Sequence, residues 1–168
     1  MSNLCPVSAK ELVLVAGLGN RLATPDAMGP RITEKIIATR HLHGRVPEKI
    51  LSGVRPVATI APGVLGITGI ETAEMLKATI DLIHPAMLIV CDALAAGDVS
   101  RIGTTIQIAD TGINPGSGLG NERTAINQST MGIPTLAVGV PTVVSGMVIA
   151  HNILENFLEE LEQSTALD

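Results

Sequence analysis

Two aspartates, Asp26 and Asp92, stand where acid–base chemistry would need them in an alternating α/β chain. Each follows an apolar run that is typical of a buried strand. Two carboxyl groups held close together cannot both ionise easily, so one keeps its proton while the other stays charged. Such a pair can withdraw a proton at one position and donate one at another. We therefore expect any active site to be built around these two residues.

Each aspartate also has a structural explanation. Thr24-Pro25-Asp26 resembles a helix start, with Thr24 as N-cap and the acid facing the positive end of the helix dipole. Asp92 comes directly after an apolar strand, which it should end. A carboxylate in that position must accept hydrogen bonds, pair with a positive charge or take part in a functional site. A structural role stays open for Asp26, whereas use in a site is favoured for Asp92.

Glycine-rich motifs do not support a nucleotide cofactor. Gly17-Leu18-Gly19 lacks the third glycine of a dinucleotide fingerprint, because Leu22 stands in its place. The run from Gly116 to Gly120 lacks the Lys-Ser/Thr of a phosphate-binding loop. We expect this run to be a loop that offers backbone N–H groups, and we expect no cofactor.

Histidines and cysteines do not form a metal motif. His41 and His43 have no third ligand nearby, and Cys5 and Cys91 are far apart without a C-x-x-C pair. Neither a metal site nor a disulfide framework is expected, and the cysteine usage favours a reducing compartment.

Asp110 and the segment from Gly112 to Gln128 are candidates for substrate contacts. Asp110-Thr111-Gly112 spells the D-T-G of pepsin-like proteases, but those enzymes are all-β, so a turn-forming Asp110 is favoured over a catalytic one. The polar stretch 112–128 is too long for a simple turn, and loops of that length usually carry function. The site prediction therefore includes Asp110, Gly116, Ser117 and Gly118, together with Asn20 after the first strand.

Strand-like and helix-like segments alternate along the chain. The predicted strands are Leu12 to Ala16, Val54 to Ile60, Met87 to Cys91, Thr104 to Ala109 and Thr135 to Val140. Apolar stripes of helical period start at Met28, Ile70 and Ala150. This alternation predicts a three-layer α/β/α sandwich with a mainly parallel sheet. If strands one and three are neighbours, as in the common 2-1-3 order, Asp26 and Asp92 converge beyond their carboxyl ends.

Composition limits the remaining functions. The 168 residues suit one domain spanning residues 1–168, with a core of aliphatic side chains because Phe157 is the only aromatic residue. The net charge of −5 and the lack of basic stripes argue against nucleic-acid binding but permit a basic protein partner. Without a signal peptide or an apolar run of about 18 residues, we expect a cytoplasmic protein with no membrane contact.

Long motifs between Val13 and Val144 resemble one protein family. They are Gly17-Leu18-Gly19-Asn20, Thr24-Pro25-Asp26-Ala27, Gly29-Pro30, Ala61-Pro62-Gly63-Val64-Leu65-Gly66, Thr68-Gly69-Ile70-Glu71-Thr72, Asp92-Ala93-Leu94-Ala95, Thr104-Thr105-Ile106-Gln107-Ile108, Asp110-Thr111-Gly112-Ile113, Pro115-Gly116-Ser117-Gly118, Gly120-Asn121 with Arg123, Gly132-Ile133-Pro134 and Val140-Pro141-Thr142-Val143-Val144. In these residues the chain resembles the germination protease, or spore protease, of spore-forming bacteria.

The resemblance implies an atypical aspartic endopeptidase that cleaves small acid-soluble spore proteins, with a fold shared with hydrogenase maturation endopeptidases. The two aspartates that the family is proposed to use fall on Asp26 and Asp92. The resemblance further implies members that are longer, with a removable N-terminal pro-segment, so this chain is expected to be a short form. It departs from the family pattern at Ala95-Ala96-Gly97 and Ser145-Gly146.

Two other functions stay open. A metal-assisted maturation endopeptidase of related fold would use both aspartates to bind a divalent ion. A non-catalytic sporulation or assembly protein would keep the fold for contacts in a homo-oligomer. The leading expectation is peptide hydrolysis by the aspartate pair.

Overall fold

A five-stranded mixed sheet forms the centre of the protein, seen in a computed structural model that describes residues 6–116 and 123–165. Its strands are β1 (Val13–Leu18), β2 (Val57–Gly63), β3 (Met87–Ala96), β4 (Gln107–Ala109) and β5 (Thr135–Val144). They lie in the order β2-β1-β3-β5-β4. β4 pairs antiparallel with β5, and the other pairs are parallel. The predicted mainly parallel sheet, with strand one between strands two and three, is confirmed.

Helices cover both faces of the sheet. They are α1 (Met28–Lys35), α2 (Leu65–Thr68), α3 (Thr72–Ile83), α4 (Gln128–Met131) and α5 (Gly146–Thr165). α3 and α4 pack with the even-numbered side chains of β1 and β3, such as Leu14 and Leu88, in one core cluster. α1 packs with the odd-numbered ones, such as Val15 and Cys91, in a second cluster. Side chains along each buried strand alternate between the two faces of the sheet and so contribute to two aliphatic cores, which gives the predicted α/β sandwich.

The long helix α5 leaves its apolar stripe open to solvent. Ile153 is 64% exposed and Phe157 is 55% exposed. The helix is fixed to the body near its start, where Asn152 Oδ1 accepts a hydrogen bond of 3.1 Å from the N–H of Val99. Within the described ranges, no helix is long and apolar enough to cross a bilayer.

A pair of glycines lets α1 approach the sheet closely. A Cβ at Gly29 would lie 2.5 Å from the carbonyl oxygen of Cys91 and 2.5 Å from the nitrogen of Leu18. A Cβ at Gly17 would likewise meet the backbone of Gly29 and lie 2.9 Å from the nitrogen of Pro30. Real Cβ atoms do not sit at such distances from backbone, so only glycine allows this contact. The contact holds the start of α1 against the end of β1 and the middle of β3.

We expect Gly29→Ala to lower the free energy of unfolding by about 3 kcal/mol, because the added Cβ would overlap backbone atoms that cannot move aside as a flexible side chain can. Urea unfolding of the variant and the parent chain measures the change. Gly66→Ala is the matched control, since Gly66 is exposed in α2 with no atom within 4 Å of the added Cβ. That control should be neutral or stabilising by up to about 1 kcal/mol. Equal effects at the two positions would contradict the packing role of Gly29.

Candidate active site

β1 ends at a turn that aims the first aspartate. Gly19 has a φ of +109°, a conformation that favours glycine, and the chain leaves the sheet there. Asn20 Oδ1 then accepts a hydrogen bond of 2.9 Å from the N–H of Leu22, which closes a local turn. Thr24–Asp26 forms a 3₁₀ turn before α1 begins at Met28. The prediction of Thr24 as N-cap is wrong, because Ala23 holds that position and no side chain caps the turn.

The carboxylate of Asp26 is held by backbone. Its Oδ2 accepts a hydrogen bond of 2.7 Å from the N–H of Asn20. A Cβ at Gly19 would lie 2.8 Å from Asp26 Oδ1, so a side chain there would displace the carboxylate. The turn residues between β1 and α1 therefore position Asp26, which is half-buried. Its second carboxylate oxygen is left for other partners.

Asp92 lies inside β3 rather than at its end, which corrects the sequence prediction. Pairing of β3 with β1 stops at Gly17↔Cys91, whereas pairing with β5 continues from Asp92↔Gly139 to Ala96↔Val144. A strand can continue past a polar residue when a neighbouring strand still pairs with it. Here β5 pairs with β3 for four more residues after Asp92. Asp92 is thus the first residue of β3 that has lost its β1 neighbour.

Burial changes the acidity of Asp92. Its residue surface is 7% exposed. Removal from water, reinforced by the negative charge of Asp26, raises the pKa of Asp92 to about 7, even though the N–H of Ala93 donates to Oδ1 at 2.9 Å and favours the charged form. At neutral pH the carboxyl group therefore carries a proton for much of the time.

Both aspartates open into one cavity of about 560 Å³ at the carboxyl ends of β1 and β3. The cavity is lined by Leu18, Gly19, Pro25, Asp26, Val64, Thr72, Asp92, Ala93, Leu94, Ala95, Gln107, Asn114, Pro115, Gly116, Arg123, Thr142, Val143, Val144 and Ser145. The described flanks of the 112–128 segment lie beside the aspartates, anchored by paired hydrogen bonds of 2.9 and 2.8 Å between Ile113 and Ile126. The strand order thus brings together the two carboxyl groups that the sequence singled out.

The other predicted contact residues divide into four groups. Gly116 lines the cavity. Asn20 does not line the cavity, but its backbone N–H donates the hydrogen bond that holds the Asp26 carboxylate. Asp110 is exposed in a turn after β4 and is not among the cavity residues. Ser117 and Gly118 lie outside the described residues.

Several polar cavity residues were not identified as site residues from the sequence. Arg123 is the one basic residue among the described residues that line the cavity, and Gln107 and Asn114 add amide groups. Thr142 Oγ1 donates a hydrogen bond of 2.7 Å to the carbonyl oxygen of Pro25, which ties the end of β5 to the turn carrying the first aspartate. These residues come from β4, β5 and a loop, and only the tertiary fold brings them to one place.

Cys91 is next to Asp92 but belongs to the opposite face of β3. It is buried in the core cluster with Val13, Val15 and Met87. Burial first, and the neighbouring charge of Asp92 second, raise the pKa of the Cys91 thiol. A protonated thiol buried in an apolar core is a poor nucleophile. The geometry therefore favours the carboxyl groups as the reactive side chains.

Potential metal ligands are sparse around the carboxyl pair. Across residues 6–116 and 123–165, no group of three or more His, Cys, Asp or Glu side chains is placed to hold a metal ion. The described part of the cavity therefore offers two carboxyl groups without a third ligand of these types.

The sequence matches the germination protease family over residues 2–166. It is 48% identical to the germination protease of Caldanaerobacter subterraneus subsp. tengcongensis, over 99% of this chain and 51% of that protein. It is 51% identical to the germination protease of Clostridium tetani, over 88% of this chain and 46% of that protein. It is 48% identical to the germination protease of Bacillus subtilis, over 94% of this chain and 44% of that protein. The chain thus spans about half the length of the curated relatives it matches.

The fold is similar to that of a NiFe-hydrogenase maturation protease, HycI from Thermococcus kodakarensis KOD1. The TM-score is 0.51 at 18% sequence identity, and the match covers 92% of this chain and 95% of the other. At that identity the likeness concerns the fold alone. It confirms the predicted relation to the hydrogenase-maturation-protease fold.

Proposed function

The chain belongs to the germination protease family, and we propose that it is an endopeptidase in which Asp26 and Asp92 activate water for attack on a peptide bond. The observation that carries the proposal is the unequal environment of the two carboxyl groups within one cavity. Asp26 is half-buried and bound by a backbone N–H, whereas Asp92 is buried and holds its proton to about pH 7. Unequal environments of this kind assign the acid and the base.

In the proposed reaction Asp26, ionised, accepts a proton from a water molecule as the water oxygen bonds to the carbonyl carbon of the substrate. Asp92, protonated, donates its proton to the amide nitrogen that leaves, and the C–N bond breaks. The two carboxyl groups exchange protonation states and are restored by proton transfer with solvent. Backbone N–H groups of the segment that includes Gly116 are candidates to stabilise the oxyanion, because this segment borders the cavity.

The proposed substrates are small acid-soluble spore proteins, as the family resemblance implies. The chain carries a net charge of −5, which favours encounter with a basic protein. The proposal extends to a cytoplasmic location in a sporulating bacterium and to assembly as a homo-oligomer. Direct contact with nucleic acid is not part of it.

The direct test is to incubate the purified chain with a small acid-soluble spore protein and read the products by mass spectrometry. One or a few discrete cuts are expected, because a structured cavity selects its peptide bond. The same digestion with Asp92→Asn controls for contaminating proteases, which would leave identical products. An intact substrate after prolonged incubation would contradict the proposed function.

We expect cleavage to survive strong chelators and reagents that modify serine or cysteine. The described residues show no third metal ligand, and Cys91 has a buried, protonated thiol. Cleavage rates measured with EDTA, a fluorophosphonate and iodoacetamide should stay within about twofold of the untreated rate. Cys91→Ala separates thiol chemistry from steric block by a bulky adduct. Loss of cleavage in that variant, with an unchanged circular dichroism spectrum, would indicate a thiol mechanism instead.

A further inference from the structure

β3 presents an unpaired edge to the cavity. Beyond Cys91 it has β5 on one side, and on the other side β1 has ended. Within the described chain, residues 93–96 make no backbone-to-backbone hydrogen bonds other than those of the β3–β5 ladder. Ala93, Leu94 and Ala95 all line the cavity, next to Asp92. A row of main-chain groups is therefore available beside the aspartate pair.

β1 and β2 both stop short of this edge. β1 pairs with β3 up to Gly17↔Cys91 and with β2 up to Leu18↔Gly63, so both strands end near the level of Asp92, whereas β3 continues to Ala96. Val64, the residue that follows β2, lines the same cavity as residues 93–95. An extended peptide paired with β3 here would continue the line of β1, at the usual spacing of about 4.8 Å between strands.

The free edge also lacks the features that usually protect exposed strands. Natural edges are blocked by charged side chains, proline or a covering segment. The residues here are Ala93-Leu94-Ala95-Ala96, which are uncharged and mostly small. The Leu94 side chain lies against β5, since a Cβ at Gly139 would be 2.6 Å from Leu94 Cγ. Ala93 and Leu94 are half-buried and Ala95 is exposed, so another backbone can reach this part of the edge.

We propose that the substrate binds by strand addition, as an extended segment paired with the Ala93–Ala95 edge of β3 in the place that β1 vacates. This inference rests on the proposed function, because it takes a polypeptide as the ligand. Main-chain hydrogen bonds supply binding that is independent of side chains, and the scissile bond is carried to Asp92 at the start of the edge. The three residues of this edge span about 10 Å, so the substrate class is a locally unfolded polypeptide rather than a folded surface loop.

The test uses overlapping peptides of about twelve residues from a small acid-soluble spore protein, a length sufficient to cover the edge with flanking residues. The peptide that is cut is resynthesised with a single N-methyl group at each position in turn. Strand pairing involves every second residue, so we expect kcat/KM to fall about tenfold at alternate positions near the cut and less than about threefold at those between. The intervening positions are matched controls for the bulk of the methyl group.

Hydrogen exchange gives a second readout that does not need cleavage. Asp92→Asn is incubated with the unmodified peptides, and slower amide exchange is expected in residues 93–96. A peptide that is cut with no alternation, and without protection of this segment, would overturn strand addition and leave the proposed function standing. If no peptide is cut, the proposed function fails. Strand addition is then decided by amide exchange of the parent chain with the same peptides: slower exchange in residues 93–96 supports it, and unchanged exchange overturns it.

Discussion

Replacing either Asp26 or Asp92 by asparagine is expected to lower kcat for peptide cleavage by about 10²–10⁴-fold, the usual contribution of one general acid or base. Asparagine keeps the volume of the side chain and removes its proton chemistry. Neither variant can both accept the proton of water and donate one to the leaving amine. Steady-state cleavage of the peptide identified by mass spectrometry measures the loss.

Asp110→Asn is the matched control for these variants. It makes the same chemical change at an exposed aspartate outside the cavity, so cleavage should stay within about twofold of the parent rate. Thermal melts of all three variants establish that they remain folded. Near-normal cleavage by folded Asp26→Asn or Asp92→Asn would rule out the carboxylate-pair mechanism.

A purely structural Asp26 makes a different prediction. Its carboxylate then matters only as the acceptor for the Asn20 N–H, 2.7 Å away, at the turn before α1. Asparagine retains an acceptor oxygen, so the loss is a charge-assisted hydrogen bond replaced by a neutral one, about 1 kcal/mol of stability. Cleavage by the remaining folded protein would be unchanged. The two roles are therefore separated by comparing kcat with the free energy of unfolding.

The convergence of the two aspartates was predictable because it depends on long, regular patterns. Aliphatic runs of strand length alternate with helical stripes, and right-handed crossovers then restrict the order of a parallel sheet. Once β1 lies beside β3, the segment that follows β1 begins at the same edge of the sheet as Asp92. The turn at Gly19 and Asn20 then sets where along that edge the Asp26 carboxylate lies.

Local boundaries were less predictable because tertiary neighbours decide them. Asp92 directly follows an apolar run in the sequence, yet β5 extends β3 to Ala96 by pairing with it. Thr24 looks like an N-cap, but the turn closed by Asn20 places Ala23 in that position. Arg123 has no periodic signal at all, since it reaches the cavity from a loop.

The pH dependence of stability gives the most direct measure of the Asp92 proton. The native pKa of about 7 lies above the ordinary value of 3.8, so the native state binds more protons than the unfolded state between these pH values. Stability contributed by this group is therefore greatest below about pH 4 and is lost as pH rises through about 7. The total loss is up to about 4 kcal/mol, at about 1.4 kcal/mol for each unit of pKa difference.

Asp92→Asn removes this titration. We therefore expect the free energy of unfolding of Asp92→Asn, relative to the parent chain, to rise by up to about 4 kcal/mol between pH 4 and pH 8. Urea unfolding at several pH values measures it, and taking the difference between Asp92→Asn and the parent chain cancels the titrating groups that do not interact with Asp92. A flat difference for Asp92→Asn would mean that the buried carboxyl ionises near its ordinary pKa.

Such a flat difference would also remove the acid from the proposed mechanism. The proton that Asp92 retains to about pH 7 is the one that it donates to the leaving amine, so kcat should fall as pH rises through about 7, the pH at which the loss of stability levels off. Agreement between the pH of half-maximal kcat and the pH at which the stability difference levels off would identify one group behind both. A kcat that rises through pH 7 would instead require Asp92 to act as a base, with the roles of the two aspartates exchanged.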